Sequence, residues 1–412
     1  MADHRLSICY VVPGHHCVPS AGPTRNVLSL AEALSSRADV TVAFRTVAPP
    51  AVGRGYAVIA IQKGQARLHT GQDDAAIRGI GLREFLIYLA ALRRFVDTHL
   101  STYDVVLEKS WLLSGYIAAR CQRRGVPAAV IENVVRLWTE PLRTPRDLLR
   151  YGWHRYTQAL VGRYLQRIPL IIAETAALKA AMIDRWRLPD ERIKVVGLGV
   201  DHSLFRPLNQ AEARLALGIA SEVTVLLYVG VLDQTHDLSP VLTALRQISF
   251  PSLELHIVGD GMLRKTYEEL VGVGCRNVVF HGRVPHASVP RYIAAADLCL
   301  APYDVTKFPH GQVAYSTLKI PEYMACARPV VSVPSGHILS LIEDRVSGFL
   351  FHNHVQNWVN FLTTCPPREK LMKMGAIAAK TVGCCNWHMT AQRYWHLCKQ
   401  ICSGKTDDTV PC

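Results

Sequence analysis

The stretch SICYVVPG (residues 7–14) and the segment RNVLSLAEALSSR (25–37) that follows it decide the fold. The first is a near-continuous apolar run that ends in Pro-Gly, and the second carries Val27, Leu30 and Leu34 at helical spacing. A short strand that is apolar on both faces and leads into a helix is typical of a parallel sheet covered by helices. This couplet therefore predicts the first strand and helix of an α/β domain.

Similar apolar runs recur along the chain in two series. The first series continues with DVVLE (104–108), PAAVIE (127–132) and PLIIAET (169–175). The second comprises VTVLLYVG (223–230), LELHIVGDG (253–261), NVVFHG (277–282), LCLAPY (298–303) and PVVSVP (329–334). Between the series, GLGVDHSLFRP (197–207) has the glycines and proline of a linker. We predict two doubly wound α/β domains, 1–198 and 199–385, and a C-terminal helix and tail, 386–412, whose helix packs back on the first domain.

The composition favours a cytoplasmic protein with an anionic partner. The chain has 412 residues, and its 46 Lys and Arg outweigh 33 Asp and Glu to give a net charge of +13. Such a balance suits a membrane surface, a nucleic acid or a phosphorylated small molecule. No apolar run approaches the ~18 residues that span a bilayer, and the N-terminus lacks a signal peptide. The 12 cysteines form neither CxxC pairs nor a zinc pattern, so we expect reduced thiols and no metal site.

The loop VPGHHCVPSAGPTRNVL (12–28) joins the first strand to its helix and is rich in small and rigid residues. Gly14 and Gly22 would let the backbone approach a phosphate closely, although an ordinary surface loop is an equal alternative. The spacing GxGxxG is absent, so a dinucleotide site is poorly supported. His15 and His16 are candidates for acid–base chemistry, with exposed imidazoles as the alternative for at least one of them.

In the segment IPEYMACA (320–327), one carboxylate, Glu322, follows a proline in an otherwise apolar stretch. Because Pro321 lacks an N–H, the helix must begin at or just before it, which places Glu322 in the first turn. We expect Tyr323, Met324 and Ala327 to face the core and Glu322 to face a cleft between the two sheets. A carboxylate there can accept two hydroxyl hydrogen bonds from a ribose diol, or it can simply complement the helix dipole.

Several segments resemble, in the family's order, the signature segments of the GT-B glycosyltransferases of family 4. They are GPTRNVLSLAEAL (22–34), YDVVLEKSWLLSGYIAARCQRRGVP (103–127), VVGLGVDHSLFRP (195–207), LHIVGDG (255–261), NVVFHGRVPHASVPRYIAAADLCLAPY (277–303) and STLKIPEYMACARPVV (316–331). The resemblance implies two Rossmann-like domains facing across a cleft, with an N-terminal acceptor-binding domain and a C-terminal nucleotide-sugar-binding domain. It also implies transfer from a nucleotide-diphosphate sugar of UDP or GDP type, with retention of configuration and no cofactor or bound metal. The chain has no DxD motif, in agreement.

The resemblance assigns most of the donor-binding residues. Taken with the nearby loops, it gives Gly22, Gly230, His236, His310, Ser316, Leu318, Lys319 and Glu322 as the donor-binding set. Two positions depart from the family pattern. Ala314 replaces a second acid that many members carry, so we expect donor-sugar recognition from elsewhere, such as the loop that holds His310. Val231 stands where members commonly have an arginine, within a segment LDQTHDL (232–238) that resembles a subset of relatives.

Departure of a nucleoside diphosphate develops negative charge, so catalysis requires preorganised positive groups near the phosphates. Arg25 and Lys319 are the main candidates, with His236 a weaker one. Glu108 and the Lys109 that follows it resemble a Glu-Arg/Lys pair of some relatives. Glu108 could orient an acceptor hydroxyl or could be a structural carboxylate. The predicted catalytic residues are therefore Glu108, His15 and Arg25.

Residues 136–167 hold seven arginines and two acids, interleaved with tryptophan and tyrosine. A basic, aromatic, amphipathic segment suits the surface of an anionic membrane, so we predict membrane or acceptor contact by Arg146, Arg150, Trp153 and Arg155. An ordinary solvated arginine face is the alternative. No nucleic-acid-binding module accompanies the charge, so no nucleic-acid partner is expected.

The sequence thus predicts a hexosyltransferase of polysaccharide or glycolipid biosynthesis, cytoplasmic or peripheral on the inner membrane face. Its acceptor would be a glycan, a lipid-linked molecule or a small molecule. A GT-B-fold sugar-nucleotide epimerase and a noncatalytic scaffold of the same fold stay open as alternatives.

Overall fold

The computed structural model describes residues 5–17, 22–46, 55–62, 82–136, 138, 141–248, 252–272 and 277–404. The chain divides into two compact units, which we call unit 1 (Met1–Gly199 with Trp387–Cys412) and unit 2 (Val200–Asn386). The sequence placed these boundaries after residues 198 and 385. Of the predicted C-terminal helix and tail, 386–412, residues 405–412 lie outside the described residues.

Each unit is built on one parallel sheet. The strands of unit 1 are β1 (Ser7–Val12), β2 (Asp39–Phe44), β3 (Ala57–Ala60), β4 (Val105–Lys109), β5 (Ala128–Glu132), β6 (Ile171–Ala173) and β7 (Ile193–Val195). Those of unit 2 are β8 (Thr224–Val229), β9 (Leu253–Val258), β10 (Val278–Gly282), β11 (Leu298–Ala301), β12 (Val330–Ser332) and β13 (Gly348–Leu350). Their orders are β3-β2-β1-β4-β5-β6-β7 and β10-β9-β8-β11-β12-β13. In both sheets the order reverses beside the first strand of the unit, so the predicted doubly wound α/β class is confirmed.

Helices connect the strands of both sheets. In unit 1 and the linker region they are α1 (Gly22–Ser35), α2 (Leu82–His99), α3 (Tyr116–Gln122), α4 (Pro145–Leu165) and α5 (Ala176–Trp186). In unit 2 they are α6 (Gln210–Leu217), α7 (Ser239–Gln247), α8 (Arg264–Val271), α9 (Val289–Ala295), α10 (Lys319–Ala325), α11 (Ile338–Leu341), α12 (Val355–Thr363) and α13 (Arg368–Thr381). The last helix, α14 (Trp387–Ser403), belongs to unit 1. None of the described helices is long and apolar enough to cross a membrane.

The apolar runs identified in the sequence form strands because both faces of each sheet are covered. Every residue of β4 and of β5 is buried. In β1, Tyr10 pairs with Val42 on one side and with Leu107 on the other, so the strand lies inside the sheet. Continuous apolar runs are what such central parallel strands require.

The last helix completes the core of unit 1. Ala391, Tyr394 and Leu397 of α14 are buried in one cluster with Leu30 and Leu34 of α1. A helix from the C-terminal end of the chain, α14, therefore covers the outer face of α1.

The helix that carries Glu322 begins at Lys319, two residues before Pro321, and Glu322 lies in its first turn as predicted. Tyr323 and Met324 are buried, at 1% and 0% exposure. The expectation for Ala327 was wrong, because that residue lies beyond the end of α10, is partly exposed and has a φ of 56°. The chain therefore turns sharply before β12 begins.

Candidate functional site

The loop after β8 brings three predicted donor-site residues together. Gly230 has a φ of 154°, and a Cβ at this position would lie 2.7 Å from Nζ of Lys319 and 3.0 Å from the phenol oxygen of Tyr228. Gly230 is also held to the sheet by its N–H, which donates to the carbonyl of Val258 at 2.9 Å. Glycine is therefore required here because the lysine side chain lies against the loop backbone.

Lys319, the first residue of α10, is partly buried among tyrosines. Its ammonium donates to the phenol oxygen of Tyr228 at 3.2 Å and lies over the rings of Tyr228 and Tyr303, 4.4 and 5.9 Å from their centroids. Burial lowers the pKa of Lys319 to about 7, although the carboxylates of Asp233 and Glu322 act to raise it. A cation with a pKa near neutrality is stabilised when an anionic ligand binds beside it.

His236 is held by Asp233, three residues earlier in the same loop. Nδ1 of His236 lies 2.9 Å from Oδ1 of Asp233, and Nε2 lies 3.3 Å from the hydroxyl of Tyr315. Burial, and then the charge of Lys319, lowers the pKa of His236 to about 4. Burial acts to raise the pKa of Asp233, but hydrogen bonds from His236 and Thr235 hold this pKa below its usual range. The structure thus argues against His236 as a cation, because a neutral imidazole supplies no charge to a diphosphate.

An aromatic frame fixes the loop that precedes α10. The hydroxyl of Tyr303 donates to Oγ1 of Thr317 at 2.8 Å, between the predicted residues Ser316 and Leu318. Tyr315 stacks on Phe308, with ring centroids 5.6 Å apart. Ser316 and Leu318 are therefore partly buried in a loop with a fixed path.

His310 lies at an exposed turn beyond this frame. It is a non-glycine residue with a φ of 52°, a left-handed conformation that costs about 1–3 kcal/mol and persists where the surrounding structure imposes it. The hydroxyl of Ser335 donates to the carbonyl of Gly311 at 2.8 Å and helps to hold the turn.

Glu322 is reachable and has a histidine neighbour. Its side chain is 19% exposed, and Oε1 lies 3.9 Å from Nε2 of His286. His286 lies in the loop after β10, and its ring meets the edge of Phe205 with centroids 5.2 Å apart. Glu322 lies one helical turn from Lys319, so α10 presents a cation and a carboxylate together.

In unit 1, the placement of Glu108 favours the structural alternative over the predicted catalytic role. The side chain is 0% exposed and accepts hydrogen bonds from Nε1 of Trp111 at 2.7 Å, the N–H of Gly115 at 3.0 Å and the N–H of Ala118 at 2.8 Å. Burial raises the pKa of Glu108 to about 8, against the effect of these three donors. The carboxyl group, whichever its protonation state, holds the start of α3, and its complete burial leaves no surface for contact with an acceptor.

The residue after Glu108 is equally enclosed. Nζ of Lys109 lies 2.7 Å from Oε1 of Glu174, and both side chains are about 5% exposed or less. Burial, followed by the cations of Lys109 and Arg136, lowers the pKa of the partly buried His15 to about 4. His15 is therefore a neutral imidazole at pH 7, which can accept or relay a proton; its catalytic role stays a prediction.

The start of α1 holds the two other predicted residues of unit 1. Gly22 is exposed, and a Cβ there would meet no atom within 4 Å. Arg25, also in the first turn, is partly buried. No acidic side chain lies in this turn, so its partial positive charge is left for an anion.

The basic segment forms α4, but it is not amphipathic along its whole length. Thr144 caps the helix by accepting from the N–H of Asp147 at 3.2 Å, and Pro145 starts it. Its buried residues all lie in the second half, from Thr157 to Leu165. The first half exposes apolar and basic side chains on most of its surface: Arg146, Arg150 and Arg155 are exposed, as are Leu149 at 76% and Trp153 at 44%.

Sequence-family models cover most of both units. A model described as Glycosyltransferase Family 4 matches residues 21–204, and one described as Glycosyl transferases group 1 matches residues 223–364. The chain is a glycosyltransferase of the family 4 type. Among the described residues of this glycosyltransferase, no three His, Cys, Asp or Glu side chains are grouped as a metal site would require.

Solved structures of glycosyltransferases share the fold. A sucrose-phosphate synthase from Thermosynechococcus elongatus is 19% identical, with a TM-score of 0.74 over 97% of this chain and 100% of that one. Anabaena Alr3699/HepE in complex with UDP-glucose is 18% identical, with a TM-score of 0.70 over 96% and 100% of the two chains. The glycosyltransferase therefore has the GT-B fold, as predicted.

Curated relatives carry the name D-inositol 3-phosphate glycosyltransferase. The protein of Thermobispora bispora is 26% identical over 71% of this chain and 69% of its own length. That of Thermomonospora curvata is 28% identical over 71% and 70% of the two chains.

Sequence reasoning missed several residues of the glycosyltransferase's candidate donor site. They are Tyr228, Asp233, His286, Tyr303 and Tyr315. The pattern DQTH (233–236), in which an Asp precedes Thr and His, is a local signal for the turn that Asp233 forms. The tyrosines and His286 have no such signal, because their contacts join segments that are distant in sequence.

Proposed function

We propose that this glycosyltransferase moves a sugar from a nucleotide-diphosphate sugar of UDP or GDP type to a hydroxyl acceptor, with retention of configuration and without a bound metal. Binding of UDP-glucose by the related fold of Anabaena Alr3699/HepE supports a nucleotide-sugar donor. The curated relatives' name, D-inositol 3-phosphate glycosyltransferase, supports a hydroxylated acceptor.

The observation that carries the proposal is the pairing of Lys319 and Glu322 on α10. Lys319 offers an ammonium that lies against the backbone of Gly230, and Glu322 offers a partly exposed carboxylate one turn later. A nucleoside diphosphate carries both phosphates and ribose hydroxyls, so a helix that presents an ammonium and a carboxylate offers a partner to each. The ammonium would stabilise the charge that develops on the leaving diphosphate, which is the main demand of the reaction.

Unit 1 would supply the acceptor side of the reaction. Its predicted residues at the carboxyl ends of the strands include His15, a neutral imidazole that suits hydroxyl binding or proton relay rather than charge stabilisation. Gly22 and Arg25, at the start of α1, suit the binding of a phosphate group, because free N–H groups and a cation are available there.

We further propose that α4 and the start of α2 contact an anionic membrane surface on the cytoplasmic side, near a lipid-linked acceptor. Phe85 of α2 meets Trp153 of α4 edge to face, with ring centroids 6.3 Å apart. The start of α2 also exposes apolar side chains, namely Leu82 at 63%, Leu86 at 54% and Ile87 at 53%. Apolar side chains among arginines are what insertion between anionic headgroups requires.

A thermal-shift panel of nucleotide sugars tests the donor assignment, because a ligand that binds only the folded state raises the melting temperature. We expect one nucleotide class to stabilise the wild type, in the presence of EDTA as well. NMR of the product formed from that donor would then report the anomeric configuration. Inversion would contradict retention, and conversion of the donor alone to its epimer would favour an epimerase.

A further inference from the structure

We propose that His286 is a positioning residue for the donor ribose, acting through Glu322. The inference rests on the proposed function, in which Glu322 accepts hydrogen bonds from the ribose hydroxyls. It assigns a role to the loop after β10, which carries none of the predicted donor-site residues.

The geometry gives His286 a fixed place. Its ring meets Phe205 edge to face, with centroids 5.2 Å apart and an interplanar angle of 69°. Phe205 is 1% exposed and belongs to the core of unit 2, so it provides a rigid support for the imidazole. Nε2 of His286 then lies 3.9 Å from Oε1 of Glu322.

The contact adds a restraint on the direction in which the Glu322 carboxylate points. Glutamate has three rotatable bonds, and fixing such a side chain on binding costs free energy. The imidazole, 3.9 Å from Oε1 of Glu322, occupies part of the space through which this carboxylate would otherwise rotate. A carboxylate already confined to one direction loses less freedom when it accepts the ribose diol, so the donor binds more tightly.

Both side chains are open to a ligand. The side chain of His286 is 31% exposed and that of Glu322 is 19% exposed. A nucleotide can therefore reach the carboxylate without displacement of the imidazole. The role is specific to the ribose, because neither group lies against Gly230, where the phosphates are proposed to bind.

The test measures binding of UDP and GDP, of the 2′-deoxy form of whichever binds, and of inorganic pyrophosphate, by calorimetry. We expect His286→Ala to weaken binding of the ribonucleotide about five-fold, that of the deoxy form less, and that of pyrophosphate not at all. In turnover assays KM should rise with kcat nearly unchanged, as for lost ground-state binding. His286→Gln, which keeps an N–H donor near the Nε2 position, should restore affinity to within about two-fold. His352→Ala, an exposed histidine of the same unit, is the matched control.

A double-mutant cycle separates positioning from structural damage. On the Glu322→Gln background, His286→Ala should add no further loss. Three results would overturn the role of His286 and leave the proposed donor site intact. His286→Ala could weaken pyrophosphate binding as much as ribonucleotide binding, or it could still weaken binding on the Glu322→Gln background. It could also have no effect although Glu322→Gln weakens binding. Failure of the wild type to bind either nucleotide would overturn the proposed donor and this role together.

Discussion

The ammonium nitrogen of Lys319 lies 3.2 Å from the phenol oxygen of Tyr228 and 4.4 Å from the centroid of its ring. The aromatic face attracts the cation, yet the surrounding apolar volume removes it from water. The pKa of Lys319 falls from its ordinary value of 10.5 to about 7 because the second effect is larger. Lys319 therefore releases its proton at a much lower pH than an ordinary lysine does when no ligand is bound.

This pKa predicts that donor binding is linked to proton uptake. The dissociation constant of a nucleotide-diphosphate sugar should rise as pH increases from 6 to 9, because the bound diphosphate favours charged Lys319 while the free protein loses that proton near pH 7. A sugar-linked diphosphate has no phosphate group that titrates in this range. Lys319→Met should bind weakly at every pH, and a pH-independent constant in the wild type would refute the linkage.

The same variant has a stability prediction of definite sign. A lysine whose folded pKa is lowered destabilises the fold fully below about pH 7, and this penalty disappears as pH rises toward 10.5. Lys319→Met should therefore raise the melting temperature more at pH 6 than at pH 9, while it lowers turnover. Equal shifts of the melting temperature at the two pH values would show that burial of Lys319 does not lower its pKa in the folded protein.

Glu322→Gln should weaken nucleotide-sugar binding by about 1.5–3 kcal/mol, on the order of 10- to 100-fold, because a charged hydrogen-bond acceptor is lost. Calorimetric titration with the identified nucleotide measures it. Glu369→Gln is a matched control, since Glu369 also lies in the first turn of a helix of unit 2 and its side chain is 81% exposed. If both variants bind like the wild type, Glu322 only complements its helix dipole.

Gly22→Val should impair turnover and leave the fold intact. A Cβ at Gly22 would meet no atom of the protein within 4 Å, so any obstruction must be to a ligand. Initial rates and melting curves measure the two effects. Gly152→Val is the control, because a Cβ at that glycine of α4 also meets no atom within 4 Å. If Gly22→Val turns over at the wild-type rate, the phosphates do not contact the start of α1.

Glu108→Gln should reduce the free energy of unfolding by about 1–3 kcal/mol, because the amide group cannot accept from the N–H of Ala118 as the carboxylate does. Urea denaturation measures the loss, and kcat/KM per folded molecule should stay near the wild-type value. A large fall in kcat with unchanged stability would restore the catalytic interpretation of Glu108.

Replacing Arg146, Arg150 and Arg155 together with Gln should reduce sedimentation with anionic vesicles, since each charge near the surface contributes on the order of 1 kcal/mol. The effect should shrink at high salt, and nucleotide binding should not change. Replacing Arg187, Lys265 and Arg345 with Gln removes the same charge from side chains that are 83%, 88% and 86% exposed elsewhere. Equal losses in both triple variants would reveal only a net-charge effect.

Most of the strands could be predicted from the sequence because parallel strands such as β4 and β5 are buried on both faces and so are apolar throughout. The strands that were not predicted include β7, which is only partly buried: Ile193 is buried, but Lys194 is partly exposed and Val195 is exposed, so no continuous apolar run marks it. Local rules also placed Glu322 in a first helical turn, because Pro321 restricts where the helix can begin.

The site could be predicted only as a set of separate residues. Gly230, His236 and Lys319 were each named, but their contacts depend on how β8 and α10 meet in the fold. Burial then decides the chemistry: it makes His236 neutral and lowers the pKa of Lys319 to about 7. The same holds for Glu108, whose three hydrogen-bond donors lie up to ten residues further along the chain and enclose it completely.

The position of α14 in the core of unit 1 has a consequence for how the newly made chain matures. Unit 2 is continuous, from Val200 to Asn386, and its residues leave the ribosome before Ala391, Tyr394 and Leu397 of α14 do. Until then, the outer face of α1 lacks its apolar cover. The N-terminal unit, though synthesised first, therefore cannot complete its core until α14 has left the ribosome, and a nascent chain stalled near residue 386 would expose that face to chaperones.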